Sequence, residues 1–217
     1  MENNINLYSR VFRWLAIGLL ISFLGGYVLS LNNGALLGPI ITSGMWTVAI
    51  IVQVAVALLF GLLLKKVNYT TCIVLYLLYC AITGLDIGCI LLIYEMSSVI
   101  YIFIATAVIF ALLAFIGDKL NVDVTKLGTI LVIALLGVIV FSILNMLIFH
   151  SETTALLIAI VALVVFLGFI IYDLKIVEPL ARVYGEDKAA VYSAFQLYID
   201  FINVFIRLLE LFGKRRD

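Results

Sequence analysis

Charge is what this sequence has least of. Asp, Glu, Lys and Arg make up 12% of its 217 residues, about half the share usual in a soluble domain. Residues 14–64 contain none of them over 51 positions. Lysine plus arginine equals aspartate plus glutamate at 13 each, so net charge is zero and no general attraction to nucleic acid follows. Histidine is nearly absent. The single His150 ends an apolar run, which argues against a histidine-based metal site or a Ser-His catalytic pair. Three cysteines, Cys72, Cys80 and Cys89, fall in one apolar stretch without the paired spacing of a zinc site, and read as buried thiols. No cofactor is expected.

What remains is hydrophobic. Apolar residues make up 66% of the chain and mean hydropathy is +1.30. A membrane-crossing helix needs about 20 apolar residues, so the charge-free run must turn back on itself. Asn32-Asn33-Gly34 supplies turn chemistry at a suitable place. The same count predicts seven spans, at about 12–31, 36–64, 68–93, 97–117, 127–149, 153–174 and 189–212. Continuous apolar runs without period-2 alternation exclude a membrane β-barrel. A polar start, MENNINLYSR, followed by a run long enough to remain as a helix, argues against a cleaved signal. Residues 1–217 therefore read as a single seven-helix transmembrane domain, an all-α integral membrane protein whose first partner is the lipid bilayer. The longest connection, residues 175–188 with Pro179 and Gly185, reads as a cytoplasmic loop.

The few charges orient it. With the N-terminus inside, the inner segments hold Arg10, Arg13, Lys65, Lys66, Lys119, Lys126, Lys175, Arg182 and Lys188, while the outer ones hold Glu95, His150 and Glu152. That is positive-inside asymmetry and predicts a cytoplasmic N-terminus. Seven crossings put the tail Lys214-Arg215-Arg216 outside, against the rule, unless the last segment is re-entrant; seven full crossings are the favoured reading.

Two acids stand inside predicted spans: Asp173 in VFLGFIIYDLK and Asp200 in AFQLYIDFINVF. A carboxylate at mid-helix costs roughly 2.5–3.5 kcal/mol on insertion scales, so each must be neutralised, paired or wetted. In the last span Ser193, Gln196, Asp200, Asn203, Arg207 and Glu210 recur at spacings of 3, 4, 3, 4 and 3, which lays them along one helix face. Facing lipid, that stripe would be prohibitive. It should look into protein or water, either as a hydrogen-bonded packing spine or as a lining for ions and protons. If Asp173 and Asp200 meet on antiparallel neighbours, they cannot both stay ionised and would share one proton, making a pH-sensing pair. The bland alternative leaves Asp173 solvated in the headgroup region beside Lys175. Lys65 and Lys66 end the second span on the same side; one of them can latch Asp173, or both can simply snorkel. Asp86 and Arg207 lie at similar estimated depth, about 25–28 Å from the inner end at 1.5 Å per residue, and are expected to pair. Gly84 and Gly88 form a small-xxx-small pair, read as close helix packing.

At these residues the chain resembles the Bax inhibitor family, also called transmembrane Bax-inhibitor-motif proteins. IIYDLKIV around Asp173 and LYIDFINVFIRLLELFG around Asp200 carry the likeness, the second being close to the family's C-terminal Leu-Tyr-x-Asp-Phe-Ile-Asn-hydrophobic-Phe pattern. The motifs cover the last quarter; length and span count extend the likeness over the whole chain. The resemblance implies two three-helix layers around a central C-terminal helix. It also implies a pH-dependent calcium leak controlled by a hydrogen-bonded aspartate pair, here Asp173 and Asp200, with transient calcium at both. In bacterial relatives a basic residue at the end of the second helix latches the first aspartate. That position is Lys66 here, where an arginine is the expectation, and lysine offers a point charge without a bidentate fork. A glutamate of the second span in such relatives is matched only by Gln53, and Asp86 is outside the pattern. In a bacterium the implied location is the cell (inner) membrane.

The leading functional expectation is therefore a pH-sensitive calcium leak channel and not an enzyme, with Gln196, Asn203, Arg207, Glu210 and Asp86 as polar lining, and calcium ions and protons as what it moves. Calcium prefers several oxygen ligands, and no rigid cage is apparent, as suits conduction. The alternative is a non-transporting regulator that binds a membrane-protein partner such as a protease or stress-response protein. An intramembrane aspartyl protease fits less well: Tyr172-Asp173 supplies one half of its signature, but Gly-x-Gly-Asp is missing, since Gly84-Leu85-Asp86 lacks the second glycine. A retinal-type protein is disfavoured because the last span has no lysine before Lys214.

Overall fold

The structure is a computed structural model and describes residues 2–216. It consists of α1 (Glu2–Gly34), α2 (Leu37–Thr42), α3 (Met45–Leu63), α4 (Tyr69–Ile93), α5 (Met96–Lys119), α6 (Val124–Leu144), a π-helical turn at Asn145–Phe149, α7 (Glu152–Tyr184) and α8 (Glu186–Phe212). Among the described residues there is no β-strand, only an isolated bridge between Tyr94 and Arg215. Among the described residues seven helices are long and apolar enough to cross a membrane: α1 from Asn6, α3, α4, α5, α6 with its π-turn, α7 and α8.

Local chemistry explains the boundaries. Helical geometry in α1 stops at Leu31, and Asn32, Asn33 and Gly34 take positive φ of 52°, 55° and 73°, the conformation that Asn and Gly tolerate best. The second span, expected from 36, begins only at Met45. Gly44, at φ 78°, separates it from the short α2. Asn68 caps α4 by accepting from the Thr71 N–H at 2.8 Å, and Asp123 caps α6 by accepting from the Lys126 N–H at 3.1 Å.

The larger correction concerns residues 175–188, expected as a loop. They are mostly helix. α7 runs through Pro179 to Tyr184, and the break is Gly185 alone, at φ 82°. Proline removes one backbone donor from a helix, whereas the flanking Leu, Lys, Glu, Ala and Arg favour helix. Buried Val177 and the Glu178–Arg182 pair at 3.7 Å support the continuation. α8 then runs unbroken for 27 residues, about 40 Å, long enough to cross without re-entrance.

The chain folds into two compact units, residues 1–96 with 177–198 and 215–217, and residues 97–176 with 199–214. In the first, α1 and α4 cross at glycines. A Cβ on Gly26 would lie 2.8 Å from the Gly88 nitrogen, and one on Gly84 would lie 3.4 Å from the Ser22 carbonyl oxygen. The Gly84/Gly88 pair thus packs helices, as expected. Around them Phe60, Tyr76, Tyr79, Phe195 and Tyr198 interlock edge to face or tilted, with centroids 4.7–6.4 Å apart. Cys72 and Cys80 are buried free thiols and Cys89 is half-buried. In the second unit Phe201 lies against Phe103 at 5.3 Å and Phe110 at 5.7 Å. α6 approaches α7 where Gly128 faces the Tyr172 ring and Gly168 faces Leu131.

α8 stands apart in burial. Of its most apolar eighteen-residue window 72% is buried, against 11–33% for the other six spans. A helix carrying six polar positions is the one withdrawn from the periphery, as the cost of polar groups in lipid requires.

Candidate functional site

The second unit brings Asp173 of α7 and Asp200 of α8 together. Each is 4% exposed, and the two carboxyl groups lie close enough to interact. Two carboxylates that near each other in a buried site repel, so the site disfavours two full negative charges. The solvated placement of Asp173 beside Lys175 is overturned: its carboxyl is buried, in a helix that continues to Tyr184. The pair is walled by apolar groups of the same unit. Ile170 and Leu174 are buried beside Asp173, and Phe201, next to Asp200, is clamped by Phe103 and Phe110.

The polar face of α8 is buried at Ser193 and Asp200, half-buried at Gln196, Asn203 and Arg207, and exposed at Glu210. It is thus enclosed at its centre and opens at its C-terminal end. Asn203 donates to its own helix at the Ile199 carbonyl, 2.8 Å away. Among the described residues, Ser193 Oγ, Asp200 Oδ2 and Arg207 Nε on this face are buried without a protein hydrogen-bond partner. Buried polar groups nearly always have one, so these atoms are unusual in the chain.

Arg207 and Asp86, expected to pair, belong to different units, and each has a partner within its own. Arg207 pairs with Glu210, 2.5 Å away and three residues on along α8. Asp86 accepts a hydrogen bond from Gln53 at 3.2 Å. Equal estimated depth carries no information about which face of a helix a side chain leaves from. Lys66 lies past the end of α3 and is exposed. Among the described residues no cluster of three or more His, Cys, Asp or Glu side chains occurs. Oxygen ligands at Asp173 and Asp200 would therefore amount to a carboxyl pair supplemented by neighbouring amide and hydroxyl oxygens.

Sequence reasoning missed a hydroxyl network in the first unit. Ser22 Oγ reaches the carbonyls of Cys80 at 2.7 Å and Gly18 at 3.0 Å, and also bonds the Tyr198 hydroxyl. Ser22 has a single proton to give to a carbonyl, so Tyr198 is the donor to Ser22. Gln53 Nε2 donates to Thr83 Oγ1 at 2.9 Å as well as to Asp86. The only sequence signal was Ser22 itself, a hydroxyl in the middle of a charge-free run.

Comparison with known proteins agrees with the resemblance read from the two aspartate motifs. Residues 5–217 match the family model described as inhibitor of apoptosis-promoting Bax1. A protein of Borreliella burgdorferi described as uncharacterized is 33% identical over 215 residues, covering 96% of this chain and 92% of its own length. The inner membrane protein YbhL of Escherichia coli is 28% identical over 218 residues, covering 96% of this chain and 91% of its own. With seven helices apolar enough to span a bilayer and a family match over nearly its whole length, this chain is an integral membrane protein that belongs to the Bax inhibitor family.

Proposed function

We propose that the protein is a pH-sensitive calcium leak channel, gated by a proton shared between Asp173 and Asp200. The observation that carries the reading is the carboxyl pair: two aspartates, each 4% exposed, facing each other within segments long and apolar enough to cross a membrane. Losing the shared proton places two negative charges in a low-dielectric site, and relief comes through separation, hydration or a cation. Calcium, a hard ion that takes oxygen ligands, suits that vacancy of charge. The Ser193, Asp200 and Arg207 atoms without protein partners support a hydrated track along the same helix, with Gln196, Asn203 and Glu210 as further lining and Asp86 as an acid beside Gln53. A site with few oxygens holds the ion transiently, which favours conduction over storage. In this proposal Lys66 latches Asp173 as a point charge, the N-terminus is cytoplasmic, and no covalent chemistry or cofactor takes part.

The test is calcium efflux from vesicles containing the purified protein. Asp173→Asn and Asp200→Asn keep side-chain size and hydrogen-bonding capacity while removing the titrating carboxyl. A protein-dependent flux altered severalfold or more by either change is the expected result. Efflux indifferent to both substitutions would sink the aspartate mechanism, and no protein-dependent efflux at all would remove the channel reading in favour of a non-transporting regulator.

A further inference from the structure

In the first unit a cleft of about 290 Å³ opens where α1 carries its two arginines and α4 and α8 begin. Arg10, Arg13, Trp14, Ile17, Tyr69 and Asp187 line it. The four residues from α1 run in order of depth, from two guanidiniums through an indole to an aliphatic side chain 40% exposed. Seven residues of helix separate Arg10 from Ile17, about 10 Å of rise. That is the order of chemistry met on passing from headgroups into hydrocarbon, with tryptophan and tyrosine at the boundary. Tyr69 is the first residue of α4 and Asp187 the second of α8, so two helix N-termini add partial positive charge.

The charges in the cleft are unequally satisfied. Arg10 is answered twice, by Asp187 at 2.6 Å and Glu186 at 3.7 Å. Arg13 gives one hydrogen bond, from Nε to the Ser9 carbonyl of its own helix at 3.3 Å, and has no acidic partner among the described residues. Both acids, Asp187 and Glu186, sit on Arg10, so Arg13 alone keeps a guanidinium without an acidic partner among the described residues, the complement of one phosphodiester. We propose that this cleft is a phospholipid site. Arg13 takes the headgroup phosphate through charge-assisted hydrogen bonds. Arg10, held by Asp187 and Glu186, fixes the wall between α1 and α8. Trp14 and Tyr69 flank the glycerol region, and an acyl chain descends past Ile17. The site stands on geometry separate from the aspartate pair and does not depend on the calcium reading.

The chain has two tryptophans, so Trp46→Phe leaves Trp14 as a reporter inside the cleft. The experiment titrates this protein, in neutral detergent, with phosphatidylglycerol and reads Trp14 emission. A saturable shift is expected, and adding Arg13→Gln should weaken it about tenfold or more, as loss of a charge-assisted contact predicts. Lys126→Gln, at a cation 81% exposed on α6, should leave the titration unchanged. Inorganic phosphate over the same concentrations should give no saturation, because it lacks the chains that Ile17 and the aromatic pair hold. Equal affinity with and without Arg13, an equal loss from Lys126→Gln, or saturation by inorganic phosphate overturns the proposal. If Arg13→Gln does not fold, native mass spectrometry of the unaltered protein decides: one retained phospholipid supports the site, and none contradicts it.

Discussion

Where each buried hydroxyl and carboxyl sends its hydrogen decides much of this protein at the scale of single side chains. Ser22→Ala should remove the acceptor of the Tyr198 hydroxyl while leaving that hydroxyl in place. An unpaired buried polar group costs about 1–3 kcal/mol, so a lower midpoint of thermal unfolding in detergent is expected. Tyr198→Phe, which leaves Ser22 donating to a carbonyl, should cost less than Ser22→Ala; the opposite order would mean that the hydroxyl pair is not the interaction that matters. Asp200 was readable from sequence at this scale, since a 3-4-3-4-3 polar spacing cannot face lipid and the residue is 4% exposed. Asp173 was not. Its burial depends on where α7 ends, and a proline followed six residues later by a glycine offers two stopping points of which only Gly185 is used. The Asp86–Arg207 expectation rested on depth along a helix and not on direction around it; the two groups lie in different units, with Gln53 and Glu210 as their partners there. Ser22, Thr83 and Tyr198 lie far apart in sequence on three helices, and no periodicity announces partners of that kind.

Among the helices of the first unit, α1 and α4 approach backbone to backbone, and this makes a sharp prediction. Gly25 and Gly26 are neighbours in one helix, yet a Cβ on Gly25 meets nothing within 4 Å while one on Gly26 lies 2.8 Å from the Gly88 backbone nitrogen. Gly26→Ala should therefore destabilise by about 1–3 kcal/mol, the usual range for overpacking, and Gly25→Ala should not; equal melting temperatures would contradict the crossing. Small-xxx-small spacing made Gly84 and Gly88 readable as a packing surface, but it could not name Gly26 as the partner. In the other unit Gly128 faces the Tyr172 ring, whose neighbour is Asp173. Gly128→Ala would push that ring by its clash at 2.6 Å and should disturb calcium efflux as well as stability, whereas Gly137→Ala, which meets nothing within 4 Å, should disturb neither.

For the molecule as a whole, span count and helical class followed from hydropathy, because the bilayer sets a length that charge-free runs either meet or miss. The division into two compact units did not, since both α7 and α8 contribute to each and no linker marks the boundary. An unbroken α8 also bears on topology. Lys214 N–H bonds Ser98 Oγ at 3.0 Å, and Arg216 N–H bonds the Ile93 carbonyl at 2.9 Å, so the basic tail sits at the α4–α5 connection. With Cys72, Cys80 and Cys89 replaced, a cysteine introduced at Arg216 should be labelled by a membrane-impermeant thiol reagent from the side opposite to one introduced at Tyr8. Labelling from the same side would mean six crossings. The central claim, a proton shared by two intramembrane carboxyls as the gate, is tested most directly by calcium efflux measured across pH. The unaltered protein should change its rate with pH, and Asp173→Asn with Asp200→Asn should flatten that profile while the protein remains folded; a pH profile that survives the loss of both carboxyls would contradict the account.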